Sequence, residues 1–297
     1  SRRKQLAEEV GRAAVKNTEN GLSPSEVITS KSLDNAIRTV HALGGSTNAL
    51  IHIPAIAGRL GIDIPLEHFD QLSKTTPWLL DLKPSGQFLM EDFFYAGGLS
   101  AVLAELSPLL DMDTPTVTGQ TLGENISGIT TMANSIIRPL ATPLGQDGGL
   151  AVLKGSLAPG GAVIKTSAAS SDLMTHRGRA VVFQNHDDLL ARIDSEELDV
   201  NRDDVLVMRG SGPTGGPGMP EWGFLPLPKK LLQEGVRDMV RISDARMSGT
   251  AFGTVVVHVV PESAVLGPLA AVEDGDIIEL DVNRRTLNLL VDDEKIK

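Results

Sequence analysis

Leu150-Ala-Val-Leu-Lys-Gly-Ser-Leu-Ala-Pro-Gly-Gly-Ala-Val-Ile-Lys165 sets two short apolar runs, Leu150 to Leu157 and Ala162 to Lys165, on either side of Pro159-Gly160-Gly161. Runs of that length bounded by glycine and proline predict a β-hairpin. The same pattern continues downstream. Thr254 to Val260 is an almost unbroken β-branched run, interrupted by His258, and suits a strand covered on both faces. Ile278, Leu280 and Val282 alternate with polar neighbours, Asn283-Arg284 offers a turn, and Leu287, Leu289 and Val291 alternate back as a second hairpin. Many short strands with regular turn signals predict a barrel or sandwich after about Asn134.

Upstream of Asn134 the period changes to that of helices. Arg3 to Asn17 places Leu6, Val10 and Ala13 on one face. Ser32 is a candidate cap for a helix with Leu33, Ala36, Ile37 and Val40 at helical spacing, stopped by Gly44-Gly45. A third helix is predicted from Ser46 or Thr47 to Gly61, a fourth from Pro65 to Ser73, and a fifth from Met90 to Leu106, kinked or divided at Gly97-Gly98. The pattern alone therefore predicts a helical part over residues 1–133 and a β-rich barrel or sandwich over residues 134–297.

Composition narrows the function classes. With 297 residues, 41% hydrophobic and 22% charged, the chain can bury cores without staples, and its length favours two domains. A net charge of -11 and only 3% aromatics argue against a nucleic-acid partner. No apolar run approaches the roughly 20 residues that span a bilayer, and Ser1-Arg-Arg-Lys4 is not followed by a hydrophobic signal segment, so a cytoplasmic location is expected. The absence of cysteine excludes a disulfide framework, a thiolate zinc site and an iron–sulfur cluster held by this chain's own thiolates.

Three segments are rich enough in polar groups to carry chemistry. Gly44-Gly-Ser-Thr-Asn48, at a predicted helix start, suits a carboxylate or phosphate, or is simply a C-cap followed by an N-cap. Arg209 to Glu221 is a glycine- and proline-rich loop that lets backbone approach a ligand and ends in a candidate metal ligand, Glu221; an irregular loop with a solvated glutamate is the plainer reading. It lacks the Gly-Lys-[Ser/Thr] ending of a phosphate-binding loop. Ile242 to Thr250 holds Ser243, Asp244, Arg246, Ser248 and Thr250. Ser248 could be a turn serine; as a base it would need a neighbouring cation or base to lower its pKa. The histidines form no close ligand pair: His41, His52 and His258 read as core or supporting residues, and His186-Asp187-Asp188 as a helix start with metal binding a minor alternative. Trp222 could border a pocket beside Glu221.

Read together, His41 to Ala49, Thr116 to Asn125, Leu153 to Lys165, Gly212 to Glu221 and Ser243 to Thr250 resemble the dihydroxy-acid and phosphogluconate dehydratase family, in its order and over nearly the whole chain. Pro84 to Gly98, Leu225 to Leu232 and Ala245-Arg-Met-Ser-Gly-Thr250 look like its sugar-acid (aldonate, L-arabinonate-type) branch. The resemblance implies the fold class α/β plus all-β, with residues 1–133 as the mostly helical C-terminal part of an α/β domain, residues 134–297 as a β-barrel domain, and an active site between the two domains. It also implies a hydro-lyase that turns a 2,3-dihydroxy acid into a 2-keto-3-deoxy acid with magnesium and an iron–sulfur cluster, expected as [2Fe-2S]. The cluster cysteines, a carbamylated lysine and two aspartate ligands would lie upstream of this chain, leaving the isolated chain inactive. By resemblance Glu221 is a magnesium ligand, Ser248 the alkoxide base and Thr250 a substrate-lining residue, with Ser46, Thr47 and Asn48 closing the pocket. A homodimer or homotetramer is implied. The alternatives are the branched-chain biosynthetic dehydratase and a stand-alone binding module without catalysis.

Overall fold

The computed structural model describes residues 2–130 and 135–292. The expected division at 133/134 lies outside the described residues. Among the described residues eight α-helices precede the sheet: α1 (Arg2–Glu19), α2 (Pro24–Val27), α3 (Ser30–Leu43), α4 (Ala49–Gly58), α5 (Leu66–Ser73), α6 (Met90–Tyr95), α7 (Gly98–Glu105) and α8 (Leu122–Ile126). Beyond them run β1 (Ala151–Leu153), β2 (Gly161–Ile164), β3 (Thr175–Phe183), α9 (His186–Arg192), β4 (Val205–Met208), α10 (Lys229–Gln233), β5 (Arg241–Ser243), β6 (Val255–Val260), β7 (Ile277–Asp281) and β8 (Thr286–Leu289).

The eight strands form one sheet in the order β1-β2-β6-β5-β4-β3-β7-β8. Both predicted hairpins are present: Val152 faces Val163 across β1 and β2, and Leu280 faces Leu287 across β7 and β8. The sheet's two edges meet where Lys154 N–H donates to the Arg285 carbonyl (2.9 Å) and Leu287 N–H to the Lys154 carbonyl (3.0 Å), which nearly closes a barrel. The middle of the sheet departs from a hairpin pattern, because β3, β4, β5 and β6 run parallel. Parallel neighbours need crossovers: α9 lies in that from β3 to β4 and α10 in that from β4 to β5, while residues 244–254 carry the chain from β5 to β6 without a helix. Where β3 pairs with antiparallel β7 its burial is patchy, but Ala180 to Phe183, beside β4, are buried on both faces. One face of that stretch contributes Val182, Val207, Ile242 and Val256 to the barrel interior; the other packs Val181, Phe183, Leu206 and Met208 under Leu189 of α9 and Leu231 of α10.

Helices α3, α4 and α5 pack on the first hairpin. Leu33, Ile37, Leu50, Phe69 and Leu72 share a core with Leu150, Val152 and Val163. Burial disfavours a charge on Asp70 of α5, yet Lys74 (2.6 Å) and Arg285 (2.9 Å) hold its carboxyl below the usual carboxylate range. Arg285 also reaches Asp147 (2.7 Å), so one guanidinium in the β7–β8 turn ties the helices to the barrel.

Several helix boundaries differ from the sequence expectation. The cap of α3 is Thr29, whose hydroxyl accepts from Ser32 N–H at 3.2 Å, while Ser32 returns its own hydroxyl to Thr29 N–H at 2.8 Å. Helix α4 starts two or three residues late and ends at Gly58. The predicted fifth helix is divided at Gly97 into α6 and α7. No residue of α1 is buried, so the face of Leu6 and Val10 is uncovered in this chain. His52 is exposed rather than in the core, because its face of α4 points away from the hairpin.

Candidate active site

The first candidate loop leaves α3 through Gly44, which caps the helix in the left-handed region (φ 59°), donating to the His41 carbonyl at 3.2 Å. There the loop meets the barrel backbone to backbone. A Cβ on Gly149 would lie 2.4 Å from the Gly44 Cα, and Gly149 N–H donates to the His41 carbonyl at 2.9 Å. The expected anion-binding helix start does not form. The N–H groups of Asn48, Ala49 and Leu50 are already used by Ser46 Oγ, Ser46 O and Thr47 O, at 3.2, 3.1 and 3.1 Å. What the loop offers instead is side chains.

The glycine-rich loop is held from beneath by Glu262, whose carboxylate accepts from Thr214 N–H (2.7 Å) and Gly215 N–H (3.0 Å). Burial opposes ionisation of Glu262, but those two donors outweigh it and its pKa lies below the ordinary value. At the far end, Gly223 N–H donates to the Arg246 carbonyl at 2.7 Å and places Glu221 beside the exit of β5. Trp222 stacks on His186 with ring centroids 4.5 Å apart, which gives that histidine a packing role.

Three segments far apart in sequence converge on Glu221. Asn48 Nδ2 donates to Glu221 Oε1 at 3.1 Å and also reaches the Met247 carbonyl at 3.3 Å; Arg246 Nη2 donates to the same Oε1 at 3.0 Å. Two residues on, the Ser248 and Thr250 hydroxyls are 2.9 Å apart. Ser46 packs against the Gly249 between them, close enough that a Cβ on Gly249 would sit 3.1 Å from the Ser46 Cβ. Thr47 is buried with its hydroxyl unpartnered. Glu221 and Thr250 are exposed and Ser46, Asn48 and Ser248 half-buried, so the site opens to solvent. The apolar cavity of about 480 Å³ nearby, lined by Leu50, Ile51, Met219 and His258, contains neither Glu221 nor Ser248.

Two further residues belong to this site. Arg246 neutralises Glu221, and a salt-bridge partner cannot be read from a motif. Lys165 is only 3% exposed, and its Nζ donates to the Gly249 carbonyl at 3.2 Å. Its one sequence signal was a cation ending a wholly apolar strand.

Two family models cover the chain: dihydroxy-acid/6-phosphogluconate dehydratase N-terminal on residues 1–125, and the C-terminal counterpart on residues 135–297. The chain belongs to the dihydroxy-acid/6-phosphogluconate dehydratase family. Over its full length it is 50% identical to an L-arabinonate dehydratase of Rhizobium leguminosarum bv. trifolii and 51% to an L-arabonate dehydratase of Azospirillum brasilense, covering 52% and 51% of those proteins. It is 43% identical to a dihydroxy-acid dehydratase of Ignicoccus hospitalis, over 100% of this chain and 54% of that protein. The chain thus spans about half the length of the curated relatives it matches. Among the described residues no helix is long and apolar enough to cross a membrane.

Proposed function

We propose that this chain supplies the serine base and one magnesium ligand of a hydro-lyase that dehydrates a 2,3-dihydroxy sugar acid, of the pentonate class, to a 2-keto-3-deoxy acid. The observation that carries the proposal is the convergence of Asn48, Glu221 and the Arg246–Thr250 segment on one open surface. Relatives named for L-arabinonate favour a sugar acid over the branched-chain precursor, the second reading kept because of the 43% relative named for dihydroxy acids.

The residues present fit part of a magnesium site. Among the described residues no group of three His, Cys, Asp or Glu side chains could hold a metal alone. Glu221 nevertheless offers a carboxylate, and beside it the buried Asn48 Oδ1 has no hydrogen-bond partner. Hard oxygen donors of this kind suit magnesium, with the remaining ligands coming from outside this chain. Held by Glu221 and Asn48 together with ligands from outside this chain, the ion would supply Lewis-acid chemistry that withdraws charge from a bound 2-hydroxy acid and acidifies its C2–H. An iron–sulfur cluster does not fit this chain, which has no cysteine. The [2Fe-2S] centre therefore belongs to polypeptide beyond these residues, and the isolated chain is inactive.

Ser248, as the alkoxide, takes the proton from C2 and becomes the neutral hydroxyl. The electron pair left at C2 forms the C2–C3 double bond as the C3–O bond breaks, hydroxide departs, and the resulting enol tautomerises to the 2-keto acid. Thr250, 2.9 Å from Ser248, orients that oxygen. Asn48 and Ser46 close the pocket from the helical side, with buried Thr47 between them in the chain. In this reading residues 1–133 complete an α/β domain, residues 134–297 form the barrel, the enzyme is a cytoplasmic homodimer or homotetramer, and the site lies between the two domains.

The test is turnover by a complete polypeptide carrying this chain, measured as 2-keto acid formed from a pentonate and from 2,3-dihydroxyisovalerate. Preference for the pentonate, lost in S248A with folding intact, is expected. Preference for the branched acid would replace the substrate class, and near-normal turnover by S248A would remove Ser248 from the chemistry.

A further inference from the structure

Lys165 follows directly on β2 and is buried against the barrel, where a lysine is out of place. Its neighbours in the strand, Ala162, Val163 and Ile164, are all buried, and so is Lys165. Buried cations are ordinarily paired, because an unpaired ammonium taken out of water costs several kcal/mol. No carboxylate answers this one among the described residues: its one hydrogen bond goes to the neutral Gly249 carbonyl (3.2 Å), and desolvation, the sole influence resolved on it, pulls its pKa down. The Gly249 carbonyl lies between Ser248 and Thr250, whose hydroxyls pair at 2.9 Å. The other charged groups at this turn, Arg246 and Glu221, are paired with each other.

We propose that Lys165 is the positioning residue for the Ser248 base: it pins the Ser248–Thr250 turn through the Gly249 carbonyl and keeps an uncompensated positive charge beside it, where a serine alkoxide is its missing counter-ion. This rests on Ser248 being the base and supplies what that serine lacks. A serine hydroxyl is too weak an acid to ionise unaided, and a cation held in a poorly solvated site favours its ionised form far more than one in water. The lysine does not touch the C2 proton. It acts through the turn and through the field at the serine oxygen.

A structural clamp and a charge held for chemistry differ in what removing the charge does to stability. K165M keeps the aliphatic stem and deletes the unpaired ammonium, so in the complete polypeptide the melting temperature should hold or rise. Over the same change kcat should fall about a hundredfold or more, the scale of losing a preorganised electrostatic contact, with KM within about threefold. With C2-deuterated substrate the isotope effect on kcat should grow, since proton abstraction becomes slower. K165R, which restores the charge, should recover a substantial part of the rate. A K165M protein with kcat within about threefold of the parent overturns the proposal, as does a loss confined to KM or a fall in melting temperature that accounts for the lost activity. S248A run in parallel separates the two layers. If S248A is inactive while K165M is active, the role of Lys165 fails alone; if S248A is active, the reading beneath it fails.

Discussion

Replacing Gly149 by alanine tests whether the Gly44–Asn48 loop is positioned by direct backbone contact with the barrel. The added Cβ would stand 2.4 Å from the Gly44 Cα and 3.1 Å from the Ser167 side chain, whereas ordinary contact begins at 3.4 Å. Gly44 cannot move aside as a flexible side chain would, since its N–H is tied to the His41 carbonyl and its φ of 59° is fixed by the helix cap. The two backbones must separate by about 1 Å, and overpacking of this kind costs about 1–3 kcal/mol. The loop that retreats carries Ser46 and Asn48, so the contact of Asn48 with Glu221, 3.1 Å long, is stretched or lost. A displacement of about 1 Å in a positioning element lowers turnover by about 100-fold. Urea unfolding monitored by circular dichroism gives the first quantity and the turnover assay the second. G11A, on exposed α1 with nothing within 4 Å of the new Cβ, is the control and should be neutral or stabilising by up to about 1 kcal/mol. A G149A protein with unchanged midpoint and turnover would refute the docking of this loop on the barrel.

Asp238 accepts from buried Arg241 (2.8 Å), Thr254 N–H (2.8 Å) and Ser170 Oγ (2.7 Å), so D238A should cost about 3–5 kcal/mol in a denaturant titration by stranding the guanidinium. Glu221 is partly exposed, and E221Q should therefore leave the melting temperature within about 2 °C while weakening magnesium binding, read by calorimetry on the complete polypeptide. Burial pushes His41 down to about 4, the Phe69 carbonyl opposing only in part, so the unfolded chain takes up the proton first. Stability is whole above the unfolded pKa of about 6.5 and falls by up to about 1.4 kcal/mol per pH unit toward the folded value, a slope that H41Q should flatten.

Local pattern carried a large share of the fold. The hairpins at Leu150–Lys165 and Ile278–Val291, the body of α3 with its stop at Gly44 and the break at Gly97 are written in short-range alternation, turn chemistry and backbone conformation. The parallel block β3-β4-β5-β6 was not, because strands joined through long crossovers choose their partners by packing on both faces. The start of α4 was misplaced at Ser46 or Thr47: the helix begins at Ala49, and Asn48 in the cap position spends its side chain on Glu221, 173 residues away.

The amino-acid sequence by itself determined the two hairpins and most helices of the first third and singled out the polar loops as candidates for chemistry, since period, turn residues and motif are properties of neighbours along the chain. Only the tertiary structure decided that Asn48, Glu221 and the Ser248 turn share one surface, and that buried Lys165 reaches that turn at the Gly249 carbonyl. Those meetings depend on strand order and on two glycine backbones in contact, and both are settled when distant segments exclude water together rather than by any residue's own propensity.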